Sequence, residues 1–136
     1  MGVLFLVGYI ASIGAATYLM KVALRDLSAY QINLLMGVAM LVVSVPAVLI
    51  FDGSVRIASS KLPLGAVVAI LMAVGSILYS LALSRLPAGP TAAIATSYVV
   101  VVVVLSAVFL NERLDAVTVL GVLLTLGGVA ILSFRT

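Results

Sequence analysis

The stretch LPLGAVVAILMAVGSILYSLAL, residues 62–83, decides how this chain folds: 22 consecutive positions carry no Asp, Glu, Lys or Arg. As a helix it would be about 33 Å long, enough to cross a hydrocarbon core about 30 Å thick. It shows no period-two alternation of the kind a membrane barrel strand needs. In lipid the backbone must satisfy its own hydrogen bonds, and a helix does so within one segment. Working outward, four similar runs fill the rest: Val3 to Met20, about Tyr30 to Phe51, Pro90 to Leu110, and Ala116 to Phe134. The valine run Val99 to Val104 would favour a strand in water, but in lipid it too reads as helix. The expected fold is an all-α integral membrane domain of five transmembrane helices over residues 1–136.

Composition supports lipid as the solvent. The chain is 65% hydrophobic and 8% charged, with mean hydropathy +1.45. A soluble domain of this size could not bury so much apolar surface. Neither Cys nor His occurs, which excludes disulfides, a thiolate nucleophile and Cys- or His-based metal sites. The pI near 9.6 does not signal nucleic-acid binding, because the positive residues stand singly between apolar runs with no basic stripe. The first run lacks a basic leading segment and a clear cleavage site before Lys21, and reads as a retained span.

The breaks carry turn chemistry. Asp52-Gly53 ends the second span; Ser59 or Ser60 can cap the third ahead of Pro63. Leu86-Pro87-Ala88-Gly89-Pro90 is a tight connection, and Asp115 is placed to cap the fifth helix. Pro46 lies inside the second span and predicts a kink there. Short links make sequential helices antiparallel, so an odd span number puts the termini on opposite membrane faces. One face then holds Arg56, Lys61 and Arg113; the other holds Lys21, Arg25, Arg85 and Arg135. Lys/Arg bias sets orientation. Three against four is a small bias, which leaves both insertion in two orientations and a fixed orientation with the C-terminus in the cytoplasm open.

Three segments resemble a known repeat. Tyr79-Ser-Leu-Ala-Leu-Ser-Arg-Leu-Pro-Ala-Gly-Pro-Thr-Ala-Ala-Ile, then Phe109-Leu-Asn-Glu-Arg-Leu114, then Leu120-Gly-Val-Leu-Leu-Thr-Leu-Gly-Gly-Val-Ala-Ile-Leu132 are similar to the EamA-type repeat of the drug/metabolite transporter superfamily. That repeat typically reads Tyr…Ala-Leu, an Ala-rich helix, Leu-Gly-Glu-Arg and a Gly-containing last span. Gly14 to Lys21-x-Ala-Leu, followed by Leu27-Ser28, fits more loosely. Asn111 stands where the repeat usually has Gly, and Val99 where it usually has a mid-helix Pro. Larger family members carry two such repeats in inverted orientation. The resemblance therefore implies one half of a ten-helix inverted-repeat transporter in the inner or plasma (cell) membrane, completed by a second, antiparallel copy of itself. It implies no cofactor and no nucleic-acid partner.

Candidate site residues follow. An ionisable residue within a span is a functional candidate, yet Asp26, Asp52, Glu112 and Asp115 all fall in links. Small multidrug resistance proteins of the same superfamily use a carboxylate in their first helix to exchange protons for cationic drugs. The first span here offers Tyr9, Ser12, Thr17 and Tyr18 instead, which disfavours that mechanism. Lys21, at helical spacing from Thr17 and Tyr18, either snorkels to the headgroups or contacts an anionic group at a cavity mouth. Ser76, Tyr79 and Ser80 share one face of the third span, and Thr91, Tyr98 and Ser106 one face of the fourth. Tyr79 and Tyr98 are the leading substrate contacts across a central cavity, joined by Ser76, Ser80, Tyr18, Lys21 and Asn33. For the hydroxyls and Asn33 the competing reading is bonding to helix carbonyls or between helices. Gly121, Thr125 and Gly128 form a small-residue stripe for helix or dimer packing. Glu112 reads as structural, and no nucleophile–base pair suggests an enzyme.

The sequence thus points to a secondary transporter of a small polar or amphipathic, amino-acid-like metabolite, working by alternating access as an antiparallel homodimer. The alternative is a non-transporting or heteromeric membrane subunit that assists lipid-linked-sugar translocation; proton-coupled export of cationic drugs ranks third. A unit cut from a ten-span protein is disfavoured by the initial Met and the chain ends.

Overall fold

The computed structural model describes residues 2–54 and 59–134. Among them the regular structure is helical throughout: α1 Gly2–Ala23, α2 Ala29–Phe51, a single 3-10 turn Ser59–Lys61, α3 Leu62–Arg85, α4 Ala88–Ala95, α5 Tyr98–Phe109 and α6 Ala116–Ser133. Among the described residues five segments are long and apolar enough to cross a membrane, with α4 and α5 together, Ala88–Phe109, forming the fourth. Arg56 and Arg135, two of the seven positive residues in the orientation count, lie outside the described residues.

Each helix end has a local cause. Ser28 begins α2 with a reciprocal cap: its Oγ accepts from the Gln31 amide at 3.2 Å and its own amide donates to Gln31 Oε1 at 2.8 Å. Asp115 caps α6 as its sequence position predicts, accepting from the Thr118 amide at 2.8 Å. Its carboxyl is held below its ordinary value, first by the Thr118 side chain and then by this Thr118 amide bond. Two helices end on the same device. After α2, Asp52 donates back to the Val48 carbonyl at 2.8 Å and Gly53 turns the chain with φ 71°. After α5, Leu110 donates to the Ser106 carbonyl at 3.0 Å and Asn111 turns the chain with φ 53°. Both are left-handed residues that follow the last helical turn. α2 itself runs through Pro46 as one helix.

The fourth span differs from the single helix expected of Pro90 to Leu110. It begins two residues earlier, at Ala88, with Pro90 in the first turn, where no amide donor is needed. It is also interrupted at Thr96 and Ser97, whose ψ angles of −12° and −16° are too small for a regular α-helix. The amides of Ser97, Val99 and Val100 reach three residues back, at 3.0, 3.0 and 3.1 Å, the tighter 3-10 spacing. Thr96 Oγ1 donates to the Ala93 carbonyl at 2.6 Å, so a side chain competes with the backbone for that acceptor.

The chain divides into two compact units, Met1–Ser84 and Arg85–Thr136. The first holds α1, α2 and α3 to Ser84; in the second, α4 packs on α6. Among the described residues few side chains are buried. Ala29, Ile32, Ser80 and Leu83 are buried in the first unit and Thr91 in the second. Large apolar side chains such as Leu4, Phe51 and Phe109 face outward, as expected where lipid rather than water is the solvent.

Candidate functional site

Lys21, Asn33, Ser76 and Ser80 converge where the last turn of α1, the first turns of α2 and the last turns of α3 meet. Asn33 is at the centre. Its Nδ2 donates to the Ala29 carbonyl at 2.7 Å and to Ser80 Oγ at 2.8 Å, while its Oδ1 accepts from the Ser76 hydroxyl. Both amide protons are thereby used, one within α2 and one across to α3. Ser80 is fully buried, and its hydroxyl proton has two acceptors in reach, the Ser76 carbonyl at 2.9 Å and Met20 Sδ on α1 at 3.7 Å.

Lys21 completes the set. The sequence ended the first span at Met20, but α1 continues to Ala23 and places Lys21 within its last turn. The half-buried ammonium donates to the Leu83 carbonyl at 2.6 Å. That carbonyl belongs to the last turn of α3, where regular i+4 partners run out. Its own i+4 residue is Pro87, which has no amide proton. A cation there also opposes the negative C-terminal ends of two helices, α1 and α3. Interhelical hydrogen bonds in membranes average about 0.6 kcal/mol each, so the four that link α1, α2 and α3 are together worth about 2 kcal/mol.

Of the seven substrate-contact candidates, the structure brings Lys21, Asn33, Ser76 and Ser80 into this one network. Tyr18 is exposed and Tyr79 half-buried in the first unit; Tyr98 is exposed in the second, immediately after the break at Ser97. All four acidic residues lie between helices. Sequence reasoning missed Met20 and the Leu83 carbonyl as partners. Pro87 was the available signal for the second, since a proline four residues beyond a helical residue leaves that carbonyl without its regular donor.

In the second unit Thr91 is buried and its Oγ1 donates to the Pro87 carbonyl at 2.7 Å. Thr125 bonds back to the Gly121 carbonyl at 2.9 Å. Among the described residues of this unit, nothing lies within 4 Å of where a Cβ on Gly121 or Gly128 would be. The stripe is therefore not filled by close packing inside the unit. Glu112 is exposed, and its amide reaches back to the Ser106 carbonyl at 3.3 Å. This bond depends on the reversal at Asn111. Gly and Asn are the residues that most readily take a left-handed conformation, so Asn111 suits this turn.

Comparison with curated proteins and with solved structures gave no match. The EamA-like transporter family model matches residues 1–134. With five apolar helices in the structure and this match over nearly the whole length, the chain belongs to the EamA-like transporter family, whose general function is membrane transport.

Proposed function

We propose that this chain is a secondary transporter of a small polar or amphipathic metabolite, amino-acid-like in character, that works by alternating access as an antiparallel homodimer in the cell membrane. The observation that carries this reading is the match to one transporter repeat with an odd number of spans. A second copy in the opposite orientation rebuilds an inverted repeat, the architecture in which two halves rock around a midplane site. The three-to-four division of Lys and Arg between the faces is compatible with insertion both ways. Tyr18, Tyr79 and Tyr98 are the proposed substrate contacts, because a phenol offers both a donor and an acceptor to a polar solute. With every carboxylate in a link, exchange or facilitated diffusion is favoured over proton coupling through a buried acid.

The experiment is counterflow in proteoliposomes, with pooled amino acids and small polar metabolites as probes. Saturable uptake that Tyr79→Ala or Tyr98→Ala abolishes supports the assignment; normal uptake in both variants removes these residues from the site. Reporters fused at the C-terminus test the pairing. Two populations of opposite orientation are expected, and a single orientation refutes an antiparallel pair of identical chains.

A further inference from the structure

We infer that Lys21 and Asn33 are positioning residues that clamp α1, α2 and α3 together at one end only, leaving the other end of the first unit free to spread. The inference deepens the proposed function, since it assigns these residues to holding a moving body rather than to binding its cargo.

The clamp end is defined by two independent observations. Among the described residues of this unit, the side-chain hydrogen bonds that cross between helices all fall there: Lys21 to the Leu83 carbonyl, Asn33 with Ser76 and Ser80, and Ser80 with Met20. The buried residues of the unit, Ala29, Ile32, Ser80 and Leu83, fall there too. At the opposite end, residues 2–16 of α1 and 61–75 leading into and through α3 are exposed without interruption, and α2 is exposed over 34–46 and 49–51 with Ala47 and Val48 half-buried.

Physical chemistry gives this asymmetry a consequence. Lipid tails are as apolar as Leu and Val side chains, so apolar faces gain little by leaving lipid for one another. Polar contacts and close packing then decide where helices stay together. Here both are at one end. Lys21 is suited to the task because its acceptor cannot be served in the regular way: Pro87 has no proton for the Leu83 carbonyl, and the ammonium reaches it from another helix. Asn33 is suited because both its amide protons and its carbonyl oxygen are engaged at once, across two helices. A side chain so engaged would have to give up a bond to take a substrate.

The test uses the full chain in lipid nanodiscs and in liposomes. Amide exchange in residues 18–24 and 29–33 is expected to rise about threefold or more in Lys21→Met and about eightfold in Asn33→Leu, with residues 2–13 unchanged. Lys21→Arg keeps a donor and is expected to stay within about twofold of the wild type. Exchange unchanged at the clamp end, or raised equally at both ends, overturns the inference. In counterflow with the amino-acid pool as probe, Lys21→Met is expected to lower turnover about tenfold with the half-saturation concentration unchanged, and Lys21→Arg to restore it. A half-saturation concentration raised about tenfold at unchanged turnover would make Lys21 a ligand and overturn the assignment. Should the wild type move none of the probes, it is the transport reading that fails, while the exchange measurement still decides the clamp.

Discussion

Asn111 offers the sharpest test of the backbone. It occupies φ 53° immediately after α5, and the reversal it makes lets the Glu112 amide return to the Ser106 carbonyl at 3.3 Å. A left-handed conformation costs an ordinary L-residue about 1–2 kcal/mol, while Asn is tolerated and Gly has no Cβ to clash. Losing the return hydrogen bond would add about 0.5–1.5 kcal/mol. Asn111→Gly should therefore be neutral or stabilising by less than about 1 kcal/mol, since the gain in the native turn is offset by greater freedom of the unfolded chain. Asn111→Ala should cost about 1 kcal/mol, and Asn111→Val, with a branched Cβ, about 2 kcal/mol. Unfolding in mixed micelles by increasing detergent denaturant, followed by far-ultraviolet circular dichroism, would rank the four proteins. The expected order is Gly, Asn, Ala, Val from most to least stable. If Ala and Val matched Asn within about 0.3 kcal/mol, a left-handed residue at this position would be refuted.

Three further outcomes are expected. Ser28→Ala removes one half of the reciprocal cap and should destabilise α2 by about 1 kcal/mol, seen in the same unfolding assay, whereas Ser28→Asp should not. Thr118, through its side chain and then its amide, depresses the Asp115 carboxyl, so its stabilisation is complete above the ordinary aspartate value and is lost as pH falls through the lowered one; amide protection at the start of α6, taken relative to the intrinsic exchange rate at each pH, should fall on acidification, and Asp115→Asn should keep the cap but lose that pH response. In the fourth span, Thr96→Leu removes the competing hydroxyl and should help join α4 and α5 into one helix, read as slowed amide exchange at Ser97, Val99 and Val100.

The spans were legible because length and apolarity are one-dimensional properties. Residues 62–83 proved to be helical throughout, and the Asp52-Gly53 and Asp115 boundaries stood in plain turn and cap chemistry. The break at Thr96 was not legible. Thr and Ser occur in unbroken membrane helices as well, and only the hydrogen-bond geometry separates a harmless back-bond from a 3-10 step. The polar network was half legible. Ser76 and Ser80 could be placed on one face of α3, but period alone cannot say whether that face meets a cavity or another helix. That depended on Asn33, near the start of α2 and 47 residues from Ser80 in sequence, and on Lys21, 62 residues from Leu83. Such pairings follow from tertiary placement. Asn111 shows the reverse case: as a departure from the repeat it carried no meaning until its φ explained it.

The position of the clamp bears on the proposed pairing. Lys21, Asn33 and Ser80 secure the end of the first unit where α1 and α3 finish and α2 begins. In an antiparallel pair, the two clamps would lie at opposite membrane faces. Each face would then present one secured end and one loose end, and the arrangement would look the same from either side. On the proposed mechanism, rocking that closes the loose end of one copy would open the loose end of the other on the opposite face, so one sequence would supply both gates. A parallel pair would put both clamps on one face and leave the other without a fixed point. The orientation reporters and the exchange measurement therefore bear on each other: on the proposed mechanism, a loose end formed by α1, α2 and α3 at one face would be matched by the loose end of an inverted copy at the other.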